Sequence, residues 1–290
     1  MVSLVRSRPA AAPRPARRRS RSSSVLLHGT LMVATVIALF PVFWVVVASF
    51  KPRSEIRGNF KVISHPTFAN YEHVWRDTPF THWFVNSLVV AAFTMLVGIT
   101  MSAFAGYAVS RFWFPGKRGL MWSFLVTQMF PVSILLVPIY LILSRLSLTN
   151  TLTGLVLAYC TIAVPFCAWM LKGYFDTIPR ELDEAAALDG AGPFETFWRV
   201  VLPLARPGLA VTAFYTFLTA WGEVAYATLF IQTDDKLTLG AGLKQFVTQF
   251  DQQWENLTPA AVMITVPAAI VFFFAQRHLV SGLAAGATKG

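Results

Sequence analysis

Residues able to do chemistry fall in two places. One is the segment 181–190, ELDEAAALDG, which sets Glu181, Asp183, Glu184 and Asp189 within ten residues of a chain that is only 13% charged. The other is Glu223, the one Asp, Glu, Lys or Arg in the apolar run 207–233. A central charge costs about 3 kcal/mol on membrane-insertion scales, so such a carboxylate is a functional candidate. Thr212, Thr216, Thr219, Glu223 and Tyr226 follow steps of four, three, four and three. On a continuous helix that spacing puts all five on one face. A polar stripe of this kind lines a translocation pathway, or it glues helices together through hydroxyls. Spacing leaves both readings open.

Other chemistry is missing. No Gly-x-x-x-x-Gly-Lys-Ser/Thr occurs, since Arg111 stands where Gly116-Lys117 would need the first glycine, so the chain has no ATP-binding loop of that type. The five histidines (28, 65, 73, 82 and 278) are scattered and His-Glu-x-x-His is absent, so no metal site is expected. A membrane enzyme would need a cluster of ionisable groups at one depth, and the chain offers none. Cys160 and Cys167 read as small apolar packing residues.

The elements that must position these residues are apolar. Hydrophobic residues make up 55% and the mean hydropathy is +0.56, with about half the charge of a soluble domain. Six runs reach the roughly 20 residues that cross a bilayer as helix: 25–50, 78–110, 119–144, 146–171, 207–233 and 256–276. Backbone groups cannot go unpaired in lipid, and the runs lack the alternation of a barrel. The expected fold is an all-α integral membrane protein with six transmembrane helices. Pro131, Pro138, Pro165 and Pro267 bend spans three, four and six. Connections 51–82 and 232–255 lie on one side, and 172–206 on the other.

Charge sets the orientation. Lys and Arg are twice as frequent on the side holding the N-terminus, which places both termini in the cytoplasm. The net charge of +10 is therefore a topology signal rather than a nucleic-acid patch. Residues 1–24 read as a basic, disordered cytoplasmic tail. The run that follows is too long for a signal peptide. Residues 25–281 form the membrane domain, and 282–290 a C-terminal cytoplasmic tail.

Within 176–209, acids early in the segment suit a helix N-terminus, the Ala run favours helix, and Gly190 stops it. Pro193 opens a second short helix. Leu182, Ala185, Ala186 and Asp189 share one slim face. A helix lying on lipid would carry bulky apolar and basic residues, so this one reads as docking into a protein groove.

The order Glu184-Ala185-Ala186, Gly190, Val200, Leu202-Pro203 resembles the EAA loop of ABC-importer permeases. Arg111-Phe112-Trp113-Phe114-Pro115-Gly116-Lys117 looks like the turn after the second span of carbohydrate permeases. Gln128-Met129-Phe130-Pro131, Lys172-Gly173-Tyr174-Phe175, Glu223-Val224 and the ending Gly282-Leu283 to Lys289-Gly290 resemble the MalG-type subunits of maltose/maltodextrin importers.

That resemblance implies an ABC type I permease subunit that is not itself an enzyme and binds no cofactor directly. Its implied partners are a MalF-like permease, two ATPase subunits carrying ATP and Mg, and an extracytoplasmic sugar-binding protein. It implies ATPase coupling through Glu184, Ala185, Ala186, Asp189, Gly190, Leu202 and Pro203. Gln249, Phe250, Asp251, Gln252 and Gln253 would meet the binding protein, although they depart from the MalG pattern at most positions. Thr288, Lys289 and Gly290 would reach the ATPases. The family builds its membrane sugar site mainly from the partner permease, which leaves Glu223 a pathway or gating candidate. The alternatives are a permease for another sugar or solute, and an ion-coupled secondary transporter built on Glu223.

Overall fold

The computed structural model describes residues 21–56, 65–247 and 252–287. The chain divides into two compact units, 1–45 and 46–290. The first unit holds most of α1 (Arg21–Ser49), an apolar helix in which Phe40 stacks on Trp44 at 6.4 Å.

The second unit begins with α2 (Arg53–Ile56) and α3 (Ala69–Asp77). The described residues of this connection pack through aromatics. Phe50 packs on Phe68 and Tyr71 at 5.1 and 5.2 Å, and the Asn70 amide donates to Lys51 O at 2.7 Å. The long helix α4 (Phe80–Arg111) then runs against α7 (Leu152–Phe175). Small residues let the two approach closely. A Cβ on Gly106 would stand 3.0 Å from Lys172 N and 3.1 Å from Ala168 O. Such small-residue contacts replace the hydrophobic drive that lipid cannot supply.

Among the described residues four helices are long and apolar enough to cross a membrane, and two bent helix pairs bring the number to six if each pair is one span. The six-span reading holds on that basis, but three spans differ in detail. The third run is two helices, α5 (Lys117–Thr127) and α6 (Val132–Arg145), meeting at 112°. Pro131 lies in this break; it lacks an N–H and disfavours helix at Phe130. The fourth run was expected at 146–171, yet α7 starts at Leu152. Ser147 and Asn150 adopt positive φ (57° and 55°), which ends the preceding helix and makes a turn.

The fifth run is shorter than expected. Helix α11 (Arg206–Trp221) stops at Gly222, and α12 (Ala225–Phe230) starts afresh. It is preceded by α8 (Glu181–Leu188), α9 (Pro193–Thr196), a π-turn at Phe197–Val201, and α10 (Leu202–Leu204). The segment Pro193–Leu204 meets α11 at 80°. Short α13 (Leu239–Gly242) leads toward α14 (Trp254–Ala287). No strand forms among the described residues; Val247 and Gln252 make one isolated bridge.

Two cores hold this unit. The larger gathers Trp83, Tyr159, Tyr226 and Phe230. The smaller gathers Tyr107, Phe175, Phe197 and Val201 beneath the α8–α10 connection.

Candidate functional site

Helix α8 forms where the sequence places it. Glu181, Asp183 and Glu184 fill its first turn, against the positive end of the helix dipole. Gly190 ends it in the left-handed region at φ +88°. Gly190 N donates to Ala187 O at 3.0 Å and Ala191 N to Ala186 O at 2.9 Å. This pair of bonds is a Schellman motif, which satisfies carbonyls that the helix end would orphan. The chain then re-enters helix at Pro193, with Glu195 paired to Arg199 at 2.6 Å.

The outward surface of α8 differs slightly from the expected face. Glu184, Ala185 and Asp189 are exposed, while Ala186 is half-buried. Leu188, which the spacing argument left out, is 90% exposed. Leu202 is half-buried and Pro203 exposed where the chain turns toward α11.

A polar network fixes α8 to the ends of α4 and α7. Arg111 Nε lies 3.0 Å from Asp183 Oδ2. The Nε–H does not aim along that contact, so the pair is a charge contact rather than a directed hydrogen bond. Another guanidinium nitrogen of Arg111 donates to Ile178 O at 3.1 Å. Arg180 donates to Ser110 O at 3.0 Å, and Ser110 Oγ to Asp176 Oδ1 at 2.7 Å. Lys172 Nζ sits 2.6 Å from Asp176 Oδ2. Beneath these groups Tyr107 packs on Phe197 at 4.7 Å and donates to Pro193 O at 3.3 Å. A cleft of about 290 Å³ remains between α8 and the end of α4, lined by Arg111, Asp183, Glu184 and Ala187 among others. Sequence reasoning missed Arg111 as the partner of α8, because the two ends of the contact lie far apart in the chain.

The polar stripe of the fifth run is not one face. Thr212 and Thr216 are fully buried inside the subunit. Their hydroxyls bond back to their own helix, Thr216 Oγ1 to Thr212 O at 2.8 Å, and Cys167 Sγ lies 3.4 Å from Thr216 Oγ1. Buried and bonded in this way, they line no open surface and serve as packing. Cys160 and Cys167 are free and buried, as their setting suggests. Thr219 bonds to Tyr215 O at 2.9 Å and is partly exposed.

Glu223 does not lie mid-helix. It sits in the break between α11 and α12, where Oε1 accepts from Tyr226 N at 2.9 Å and Oε2 from Ala227 N at 3.1 Å. Its carboxylate therefore caps α12, at the helix end where negative charge is favoured. The aromatic ring of Tyr226 is buried and stacks on Phe230 at 5.1 Å. Gly222 breaks the periodicity that would have put Thr219, Glu223 and Tyr226 on one face.

On the other side of the bundle, Gln253 N donates to Phe246 O at 3.0 Å and Gln253 Oε1 accepts from Asn256 at 2.8 Å. Gln252 pairs with Val247. Gln249, Phe250 and Asp251 lie outside the described residues, as do Thr288, Lys289 and Gly290. No group of metal-ligating side chains stands together among the described residues.

An exposed, capped helix between apolar spans is what the EAA resemblance leads one to expect. Residues 98–284 match the family described as "Binding-protein-dependent transport system inner membrane component". The chain belongs to that family. It is a transport component of the membrane. The trehalose permease SugB of Mycobacterium tuberculosis is 35% identical over 255 residues, covering 87% of this chain and 93% of that one. The maltose/maltodextrin permease MalG of Salmonella typhimurium is 34% identical over 290 residues, covering 92% and 96%. The maltodextrin permease MdxG of Bacillus subtilis is 32% identical over 261 residues, covering 90% and 94%. A chain from the crystal structure of a bacterial ABC transporter that imports alginate aligns with a TM-score of 0.79 at 20% identity, covering 92% of this chain and 99% of that one. At that identity the likeness concerns the fold.

Proposed function

We propose that this chain is the permease subunit of an ATP-driven importer of di- or oligosaccharides, and that α8 is the element through which ATPase subunits drive it. The observation that carries the reading is α8 itself. It is exposed, closed by the Gly190 motif and clamped to α4 by Arg111, so a push on its outward face reaches the membrane helices without being lost in a loose loop. Glu184 and Asp189 supply polar contacts, and Ala185 permits close approach. Leu188 offers one large apolar anchor.

Maltose/maltodextrin-type sugars are the substrate that the MalG-like motifs favour. The trehalose, maltodextrin and diacetylchitobiose permeases among the relatives are alike in identity, which supports the sugar class more strongly than any one sugar. A second permease subunit, two ATPases and an extracytoplasmic binding protein complete the proposed assembly. This reading puts both termini in the cytoplasm. The boundaries 1–24, 25–281 and 282–290 stand as part of the same reading. Gln252, Gln253 and their neighbours 249–251 are proposed to meet the binding protein, and residues 288–290 the ATPases. An ion-coupled carrier is the weaker reading, since both oxygens of its one intramembrane carboxylate are occupied by backbone N–H groups.

Disulfide crosslinking tests it. Cys160 and Cys167 are replaced by Ala, Leu188 by Cys, and the protein is co-expressed with an ABC ATPase carrying single cysteines along its cleft. A crosslink that shifts or weakens on adding ATP is expected. An inserted, folded protein that crosslinks at no cleft position would falsify the docking role.

A further inference from the structure

The turn after α4 builds a groove that shares only Lys172 with the polar network around α8. It has a volume of about 650 Å³ and is lined by Trp113, Lys117, Arg118, Trp122 and Lys172, among others. Trp113 is 88% exposed and Trp122 67%. Trp113 lies just past the end of α4 and Trp122 within α5, and exposed indoles near a membrane helix end suit the boundary between tails and headgroups, where their apolar body and polar N–H are both satisfied. The groove lies at the same end of the bundle as α8, because Arg111, which contacts Asp183 of α8, ends α4 two residues before Trp113.

Its charge is positive. Lys117 Nζ donates to Phe112 O at 3.1 Å and Lys172 pairs with Asp176. Arg118 is exposed and makes no ion pair among the described residues. Three cations therefore surround the groove against one nearby carboxylate. Aromatic walls accept acyl chain and glycerol, and the cations are placed for a phosphate. Basic pockets between membrane helices bind anionic headgroups for the same reason.

We propose that this groove binds an anionic phospholipid of the surrounding leaflet, with Arg118 and Lys117 on the phosphate and Trp113 and Trp122 against the lipid body. The inference rests on the groove and its charge and stands apart from the transport reading.

The full-length protein, with any subunits that co-purify, is placed in phosphatidylcholine nanodiscs doped with brominated phosphatidylglycerol or, in parallel, brominated phosphatidylcholine. Bromine quenches indole emission only at contact. Phosphatidylglycerol is expected to quench more strongly than phosphatidylcholine. The excess should vanish when Trp113 and Trp122 are both changed to Phe, and also in the Lys117→Gln/Arg118→Gln variant, whose unquenched emission should match the wild type. Equal quenching by the two lipids overturns the proposal, which is also the result if a partner subunit covers the groove. An excess that survives in the Lys117→Gln/Arg118→Gln variant overturns it too. An excess abolished by inorganic phosphate assigns the groove to a soluble anion instead.

Discussion

Arg111 and Asp183 join the end of the 32-residue helix α4 to the helix proposed to face the ATPases, with Nε 3.0 Å from Oδ2 and side chains 7% and 21% exposed. Removing one partner of a fully buried pair costs about 3–5 kcal/mol, because the other is left as an uncompensated charge. Although the Asp183 side chain is 21% exposed, both of its carboxylate oxygens are buried without a hydrogen-bond partner, so a loss of about 3 kcal/mol or more is expected for Arg111→Ala. A double-mutant cycle of Arg111→Ala and Asp183→Asn, followed by unfolding in mixed micelles, should give an interaction energy of about 0.5–3 kcal/mol. Strictly additive single effects would remove the clamp from the account. If the clamp transmits force, the Arg111 variant should also hydrolyse ATP with less transport per turnover in the assembled importer.

Gly190 closes α8 at φ +88°, and a Cβ there would meet nothing within 4 Å. The cost of Gly190→Ala is therefore conformational alone, about 1 kcal/mol. Gly190→Asn should cost less, since Asn tolerates the left-handed region. Amide exchange in the last turn of α8 should rise in the order Gly, Asn, Ala. Equal protection in all three would mean that the turn does not depend on this backbone geometry.

Gly242 is the opposite case. A Cβ there would clash with Cδ2 of Trp83, whose ring is fully buried in the larger core. The ring has no room to retreat, so overpacking should cost about 1–3 kcal/mol or more. Gly242→Ala should lower the yield of monodisperse protein in size-exclusion chromatography, and adding Trp83→Phe should restore part of it. Full yield from the single variant would show that α13 can shift away from α4.

These contrasts show what the sequence could carry. Hydropathy found the six apolar runs, because lipid forces such runs into helix whatever their neighbours. The α8 turn was legible because Gly190 and Pro193 are local signals with local causes. Hydropathy could not see where a run reverses direction. Pro131 signalled a bend, but not a turn of 112°. In the fifth run a polar periodicity was extended across Gly222 as though the helix continued. Thr212 and Thr216 fitted a pathway by spacing, and tertiary packing turned them inward against Cys167. The Arg111–Asp183 contact has no local signature, since only the fold brings its two halves together. The segment 249–251 and the tail 288–290 lie outside the described residues, so their proposed contacts rest on the resemblance.

Glu223 separates a structural from a functional carboxylate. Its two oxygens accept the Tyr226 and Ala227 N–H groups at 2.9 and 3.1 Å, so it starts α12 as a side-chain cap. Loss of such a cap costs about 0.5–2 kcal/mol. Glu223→Ala should insert into the membrane normally, melt at a lower temperature and change transport or basal ATPase activity by loosening the break between α11 and α12. Glu223→Gln keeps one acceptor oxygen but turns an NH2 donor toward the second N–H, so its stability should fall between those of Ala and the wild type. If transport follows stability across Ala and Gln, the residue acts by holding the break in shape. If Gln loses as much transport as Ala while melting clearly above it, the negative charge itself is used in the pathway. Wild-type transport and ATPase activity in the Ala variant would leave it with packing alone.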